Sequence, residues 1–422
     1  MDADRPVRPL RRGTNLSRIA GFNEAVVIDA VRRARYGLSR VEIAEQTGLS
    51  AQTVSNIVRR MLESGLLLEG ERITTGLGKP RTPLTLDPDG RHAIGVHLDP
   101  LMTTLVLVNL RGDLAGHRQL PSPAGREPSV VLAEIAAAVP ELLVDAGVGL
   151  DTVAGIGLAS PGPVDADRGL ILDPPHLPNW RDVPVAAELG RQAELPVVVD
   201  KDVVAGAVGE RWTGATLGYG NSLFLYLSTG VGVGLAVDDS IIRGASGNAG
   251  DIGHLIVDEK GPRCWCGRRG CLGVTLSPSA LVQQAVTEMA LGGSHLDAVR
   301  SADPSRINAS FVALCDLVDA ADPAAMKVVS RSGEQLAKAV TTLANLFDTD
   351  LVALAGPTWM RLREHYLPAL TQLVPEGITR AAGRPVGVVG TSLGDDVIAV
   401  GAACLVLDRE FSPAVSSIAL AR

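Results

Sequence analysis

His254, Cys264, Cys266 and Cys271 place one imidazole and three thiols within eighteen residues of a chain that has only five cysteines. Three thiolates and an imidazole complete a tetrahedral shell that suits Zn2+ and leaves no position for a reactive water, so the expected ion is structural. Gly267 and Gly270 let the backbone turn tightly enough for Cys266 and Cys271 to share that ion. Three clustered cysteines cannot pair evenly as disulfides, and the opening Met-Asp-Ala-Asp-Arg-Pro has no apolar signal core. A reducing cytoplasm is the expected compartment.

A second chemistry is carried by charge. The formal net charge is −8, but residues 1–86 hold 14 Lys+Arg against 9 Asp+Glu, a net +5, and the remainder holds 25 against 38, a net −13. A basic head on an acidic body implies that the head alone meets a polyanion. In the head, Asn23 is placed to cap a helix over 23–37, with Ala25, Ile28 and Val31 at helical spacing. Ser39 and Glu42 form a capping-box pattern for a short second helix that Gly48 ends. Ser50 then caps a third helix, which turns Val54, Ile57, Val58 and Met61 inward. Leu66 to Glu69 and Pro83 to Leu86 predict two strands flanking the basic turn Thr75-Gly-Leu-Gly-Lys79-Pro-Arg81.

Two helices joined by a glycine turn and followed by a hairpin make a winged helix-turn-helix. The expected DNA contacts are Ser50, Gln52, Thr53, Asn56, Arg59 and Arg60 on the third helix, with Lys79 and Arg81 on the wing. Gln and Asn can read adenine edges, Arg can read guanine or hold phosphate, and a wing cation suits the minor groove. The competing reading of this head is a small dimerisation or docking module. A double-stranded DNA operator is usually two-fold symmetric, so a homodimer or homotetramer is expected.

The rest of the chain is long enough for large α/β cores, with 46% hydrophobic residues and 46 glycines. Its apolar runs, such as Leu223 to Leu227, are strand-length and fall short of the ~20 residues that span a membrane. No membrane partner is expected.

Gly244-Ala-Ser-Gly-Asn-Ala-Gly-Asp251-Ile-Gly-His254, followed by Cys-x-Cys-Gly-x-x-Gly-Cys-Leu, resembles the signature of the ROK family of sugar kinases and transcriptional repressors. Gly155-Ile-Gly-Leu-Ala-Ser-Pro-Gly-Pro-Val-Asp165, Leu177-Pro-Asn-Trp180 and Val199-Asp-Lys-Asp202 through Glu210 resemble further motifs of that family, in the same order. The resemblance covers about residues 91–422. It implies an α/β fold with two lobes, of the actin-like, sugar-kinase type, carried behind the winged head. The expected organisation is an arm over 1–20, the head over 21–86 and an effector domain over 87–422. Lobe one would take about 91–205 plus 395–422, and lobe two about 206–394. The polar stretch 292–310 is expected to be a loop insertion.

The resemblance also implies how the cleft would work, and where this chain departs. Family kinases carry Asp-x-Gly-Gly-Thr after the first strand; here Asp99 is followed by Pro100-Leu101, which removes an amide and adds bulk. The adenosine-side glycines are replaced by Gly356-Pro-Thr-Trp359. Kinase activity is therefore not expected. Asp202 aligns with the family's catalytic base, which in a regulator would only hydrogen-bond a sugar hydroxyl. The effector-binding positions carried over are His176, Asn179, Lys201, Asp202, Asp251 and His254. Lys201 and Asp251 depart from the usual Asn and Glu, and Gly273 replaces an expected Glu, so the pocket gains an ammonium and loses a carboxylate. The expected protein is a sugar-responsive DNA-binding regulator. Its rivals are a sugar kinase fused to a DNA-binding head and a regulator with a vestigial, ligand-free body.

Overall fold

The computed structural model describes residues 16–73, 81–175, 177–379 and 385–413. It divides into two compact units, the first ending at Arg91 and resuming at Leu407, the second spanning His92–Val406.

The first unit contains α1 (Leu16–Arg33), α2 (Arg40–Thr47), α3 (Ala51–Glu63) and the antiparallel pair β1 (Leu67–Glu69) and β2 (Leu84–Leu86). The capping box forms as the sequence predicts: Ser39 Oγ accepts from Glu42 N, and the Glu42 carboxylate accepts from Ser39 N at 2.7 Å. Gly48, at φ 71°, ends α2, and Ser50 starts α3 by accepting from Thr53 N at 3.1 Å. Val54, Ile57, Val58 and Met61 are the buried residues of α3. The first helix differs from the expected 23–37. It is already helical from Leu16, so Asn23 lies inside it, and the part of the presumed arm from Leu16 to Ala20 is helix. It stops at Arg33 because Leu38 must exchange hydrogen bonds with Leu84 (3.1 and 2.8 Å), and Gly37 at φ 68° makes the turn.

The second unit holds two five-stranded sheets. The first uses β3 (His92–Leu98), β4 (Met102–Asn109), β5 (Leu114–Pro121), β6 (Val153–Ser160) and β9 (Val197–Lys201) in the order β5-β4-β3-β6-β9. α4 (Pro128–Ala146), the small hairpin β7 (Val164–Asp165) and β8 (Leu170–Ile171), and α5 (Val185–Ala193) complete this lobe. α6 (Asp202–Trp212) leads to the second sheet, which contains β10 (Ser222–Leu227), β11 (Val231–Val237) and β12 (Ser240–Ile241). α7 (Gly273–Leu276), α8 (Pro278–Thr287), α9 (His295–Ser301), α10 (Pro304–Asp319) and α11 (Pro323–Phe347) follow. Then come β13 (Leu351–Ala355), α12 (Pro357–Gly377), β14 (Gly387–Gly390) and α13 (Val397–Phe411), giving the order β12-β11-β10-β13-β14.

The sheets repeat one pattern: β3 and β10 each pair with an antiparallel hairpin partner on one side and a parallel strand on the other. α6 and α13 pack at backbone contact. A Cβ at Gly157 would lie 1.7 Å from Ala402 O, and one at Gly234 2.2 Å from Val203 O. The two helices meet at Gly209 and Gly401, where a Cβ on Gly209 would come within 2.7 Å of the Gly401 Cα. The stretch 292–310 is not a loop. Asp303 caps α10 by accepting from Ser305 N, and Ala298 of α9 is buried. Among the described residues no helix is long and apolar enough to cross a membrane.

Candidate functional site

The four predicted metal ligands come together. The candidate ligand atoms of His254, Cys264, Cys266 and Cys271 all lie within 4.8 Å of one another. His254 Nδ1 is 3.5 Å from Cys264 Sγ, and Cys266 Sγ is 3.6 Å from Cys271 Sγ. Ligands at ~2.3 Å (S) and ~2.0–2.1 Å (N) from a tetrahedral ion would sit about 3.6–3.8 Å apart, so the donor set fits a closed Cys3His site. The loop geometry is set by its backbone: Cys264 N donates to Arg268 O at 2.8 Å and Gly267 N to Cys264 O at 3.0 Å. Gly270, at φ 63°, passes so close to Asp258 O that a Cβ would lie 1.5 Å from it. Donation from the Arg268 backbone holds the Cys266 thiol below its ordinary value, whereas burial pushes Cys271 up to about 12. A bound ion must displace that proton, which couples metal uptake to proton release.

The cleft candidates are only partly gathered. Asp202 opens α6 at the end of β9, and its Oδ1 accepts from Val203 N at 2.7 Å. Burial raises its carboxyl to about 6; Val203 N–H and Lys201 oppose the rise, and Asp99 adds to it. Lys201 is buried and its Nζ donates to Ala249 O at 3.5 Å; it forms no salt bridge with Asp202 or Asp251. Asp251 is exposed, bridges Gly232 on β11 and accepts from Gly253 N at 3.2 Å. Asn179 is exposed at φ 77°, and its amide reaches Glu127 at 3.5 Å. His176 lies outside the described residues. His254 turns Nδ1 to the thiols, which leaves Nε2 free of the metal cluster.

Residues not predicted from the sequence join this cleft. Arg243 pairs with buried Asp200 at 2.8 Å, and Asn248 Oδ1 accepts from Val164 N at 2.9 Å. With Lys201, these contacts tie the glycine-rich 243–251 loop of the second lobe to the first. His97 and Tyr226 stack edge to face at 6.3 Å, burial lowering the imidazole and raising the phenol. Glu210 is fully buried, accepts from Ala215 N at 2.6 Å and takes the Thr391 hydroxyl, so it closes α6 rather than facing a ligand.

Pro100 and Leu101 form a tight turn between β3 and β4, with Asp99 and Met102 exchanging 3.1 Å bonds. Leu101, Ser228, Thr229, Ile307, Phe311 and Pro357 line a pocket of about 60 Å³. That holds a few waters and is far below the ~300 Å³ at which small-molecule sites begin.

In the head, Gln52 and Arg59 are exposed and Asn56 half-buried; Gln52 Nε2 and Arg59 both approach Asn56 Oδ1, at 3.4 and 3.5 Å. Ser50 and Thr53 bond each other (Oγ–Oγ1 2.8 Å) in capping α3. Arg60 is paired with Glu24 of α1, and Arg81 with Glu42 at 2.8 Å. Lys79 lies outside the described residues.

Residues 94–409 match the ROK family, and residues 33–67 match the winged helix-turn-helix DNA-binding family. The chain is 25% identical over 375 residues to the xylose repressor of Bacillus subtilis (strain 168), covering 88% of this chain and 91% of the repressor. It is 28% identical over 317 residues to a glucokinase of Halalkalibacterium halodurans, a match that covers 71% of this chain and 93% of the kinase. Among solved structures, a ROK family transcriptional regulator described as a homologue of the E. coli MLC protein matches with a TM-score of 0.74. Identity there is 22%, over 93% of this chain and 98% of the other. The repressor likeness takes in most of the chain, the kinase likeness about the length of the second unit.

Proposed function

Because the chain belongs to the ROK family and carries a winged helix-turn-helix head, we propose that it is a sequence-specific, DNA-binding regulator of transcription controlled by a sugar or sugar derivative. The observation that carries this reading is α3: it buries one apolar face and presents Gln52, Asn56 and Arg59 on the other. Those are the side chains that discriminate adenine and guanine edges in a major groove. The partner is a double-stranded DNA operator, bound by a homodimer or homotetramer that presents two heads. The regulator acts in the cytoplasm.

In this reading Asp202 accepts a sugar hydroxyl while His176, Asn179, Asp251 and the free Nε2 of His254 complete the ring of polar contacts. Lys201 sets the charge of the cleft and favours an effector with an acidic or strongly polar substituent. The Cys3His site holds Zn2+. The ion supplies a fixed cross-link and withdraws the His254 tautomer from choice, since one ring nitrogen is committed to it. Phosphoryl transfer is not part of this reading: Pro100-Leu101 stand where family kinases carry a glycine pair, and Pro357-Thr358 interrupt the adenosine-side glycines. The test is a thermal-shift panel of neutral sugars, sugar acids and sugar phosphates, followed by operator binding with the best stabiliser. Operator affinity that is insensitive to every stabilising ligand would sink the effector half of the proposal.

A further inference from the structure

A groove of about 640 Å³ runs between the metal-binding loop (258–269) on one wall and α8 and α11 on the other. It lies apart from the cleft candidates Lys201, Asp202 and Asp251, none of which lines it. Its volume is in the range of small-molecule sites.

The charge lining the groove is unbalanced. Lys260, Arg263, Arg269 and Arg331 face it together with only two carboxylates, Asp258 and Glu288. Glu288 is already held between Lys327 (2.7 Å) and Arg331 (2.8 Å), which keeps its carboxyl below the usual range. Asp258 is taken by the Lys260 backbone N–H and by Gln335 Nε2, each at 3.0 Å. Among the described residues, Lys260, Arg263 and Arg269 make no salt bridge. Arg263 and Arg269 stand directly opposite each other in an isolated antiparallel bridge. Like charges across such a pair repel, yet backbone bonds from Cys264 N to Arg268 O (2.8 Å) and from Gly270 N to Pro262 O (2.9 Å) hold the loop in this form.

Gln335 supplies the second observation. It lines the groove, is 3% exposed, and its Oε1 has no hydrogen-bond partner while Nε2 is committed to Asp258. A buried acceptor without a donor is expensive to leave so. Ser279 and Ala280, in the first turn of α8, add the positive end of a helix to the same wall. A bare anion would satisfy the guanidiniums and leave Oε1 orphaned; a neutral polyol would do the reverse.

We propose that this groove binds a phosphorylated polyhydroxy small molecule, its oxyanion clamped by Arg263 and Arg269 and one hydroxyl donating to Gln335 Oε1. The site goes beyond the sugar cleft and does not depend on it. A ligand here would bear on the metal-binding loop and so on His254, making the groove a second input to the same regulator.

The experiment is calorimetric titration of the full-length, metal-replete protein with glucose 6-phosphate, inorganic phosphate and glucose, in an Asp202→Asn background that disables the cleft. Glucose 6-phosphate is expected to bind at least tenfold more tightly than either of the others. Arg263→Ser/Arg269→Ser should weaken it at least tenfold, whereas Arg268→Ser, whose side chain does not line the groove, should leave it within twofold. Metal content is measured for each variant. If the double variant loses its metal, Lys260→Ser is read in its place, with a loss of affinity again expected. Unchanged affinity in the variant read, or equal binding of inorganic phosphate and glucose 6-phosphate, overturns the proposal.

Discussion

Arg60, on the recognition helix, is held by Glu24 of α1, its Nε 3.1 Å from the carboxylate and its Nη2 closer still. Both side chains are 39–49% exposed, so this pair contributes only ~0–1 kcal/mol to the head and is cheap to break. A phosphate can therefore take Arg60 from Glu24. Arg60→Ala is expected to weaken DNA binding across all sequences and to lower the salt slope by about one. Glu24→Gln should strengthen binding by severalfold, because the guanidinium is then free beforehand. Salt-dependent operator titrations of both variants check this; a Glu24→Gln protein that binds no better than wild type would show that Arg60 stays on α1.

Gln52 and Asn56, one turn apart on the same face, touch at 3.4 Å. If this amide pair reads bases, Gln52→Ala and Asn56→Ala should each cost about 1–3 kcal/mol on the preferred operator and little on random DNA. Competition between operator and scrambled duplex gives that ratio directly. An unaltered ratio in both variants would move base reading elsewhere in the head.

The head was legible because its punctuation is local. Ser39, Glu42, Gly48 and Ser50 each act within four residues, and each caps or turns as its neighbours predict. The candidate metal cluster was legible for the same reason, its four potential ligands lying close in the chain. What stayed hidden was long-range. Nothing near Arg60 or Arg81 announces partners thirty-six and thirty-nine residues away. The end of α1 depends on Leu84, and the pairing of Arg243 with Asp200 on the crossing of two lobes. The stretch 292–310 is the exception: its polarity suits a loop, yet Asp303-Pro304 starts a helix by local rules.

Trp265 stands edge-on to His254 with ring centres 4.6 Å apart and is 86% exposed. The other three tryptophans, Trp180, Trp212 and Trp359, are buried. Fluorescence that a soluble quencher reaches therefore reports on the metal-binding loop. Zinc is expected at one ion per chain, and chelation should change the quenchable emission and lower the melting temperature, since a structural ion contributes folding free energy directly. Cys266→Ala should do the same without chelator. Elemental analysis of freshly purified, reduced protein decides the point; absence of zinc would remove the assignment.

Asp202 carries a stability cost that its position imposes. Its folded value is raised from 3.8 to about 6, chiefly by burial. The folded state thus binds the proton more tightly than the unfolded state, so stability falls as pH rises from about 4 to about 6 and stays reduced above that. Asp202→Asn removes the desolvated charge while leaving an oxygen for Val203 N–H. The variant should be about 1–3 kcal/mol more stable than wild type at pH 7.5, with no advantage near pH 3.5. Denaturant titrations at the two pH values test the sign; a variant less stable at pH 7.5 would mean that Asp202 is stabilised by a partner.

The proposed effector response is tested at the same carboxylate. The 243–251 loop of the second lobe already reaches the first through Arg243–Asp200, Asn248–Val164 and Lys201–Ala249. A ligand that binds Asp202 from one lobe and Asp251 from the other adds to these contacts and favours the closed arrangement. It can alter operator affinity only by its differential affinity for the two arrangements. Coupling of about 1–3 kcal/mol would change operator affinity roughly 5- to 150-fold. Asp202→Ala is expected to abolish that change while leaving operator binding without effector intact, since the recognition face belongs to the other compact unit. Operator affinity is measured with and without the best stabilising sugar, in wild type and variant. A full response in Asp202→Ala would place the signal's entry outside the cleft, and a binding-competent groove beside the metal loop would then be the site to test next.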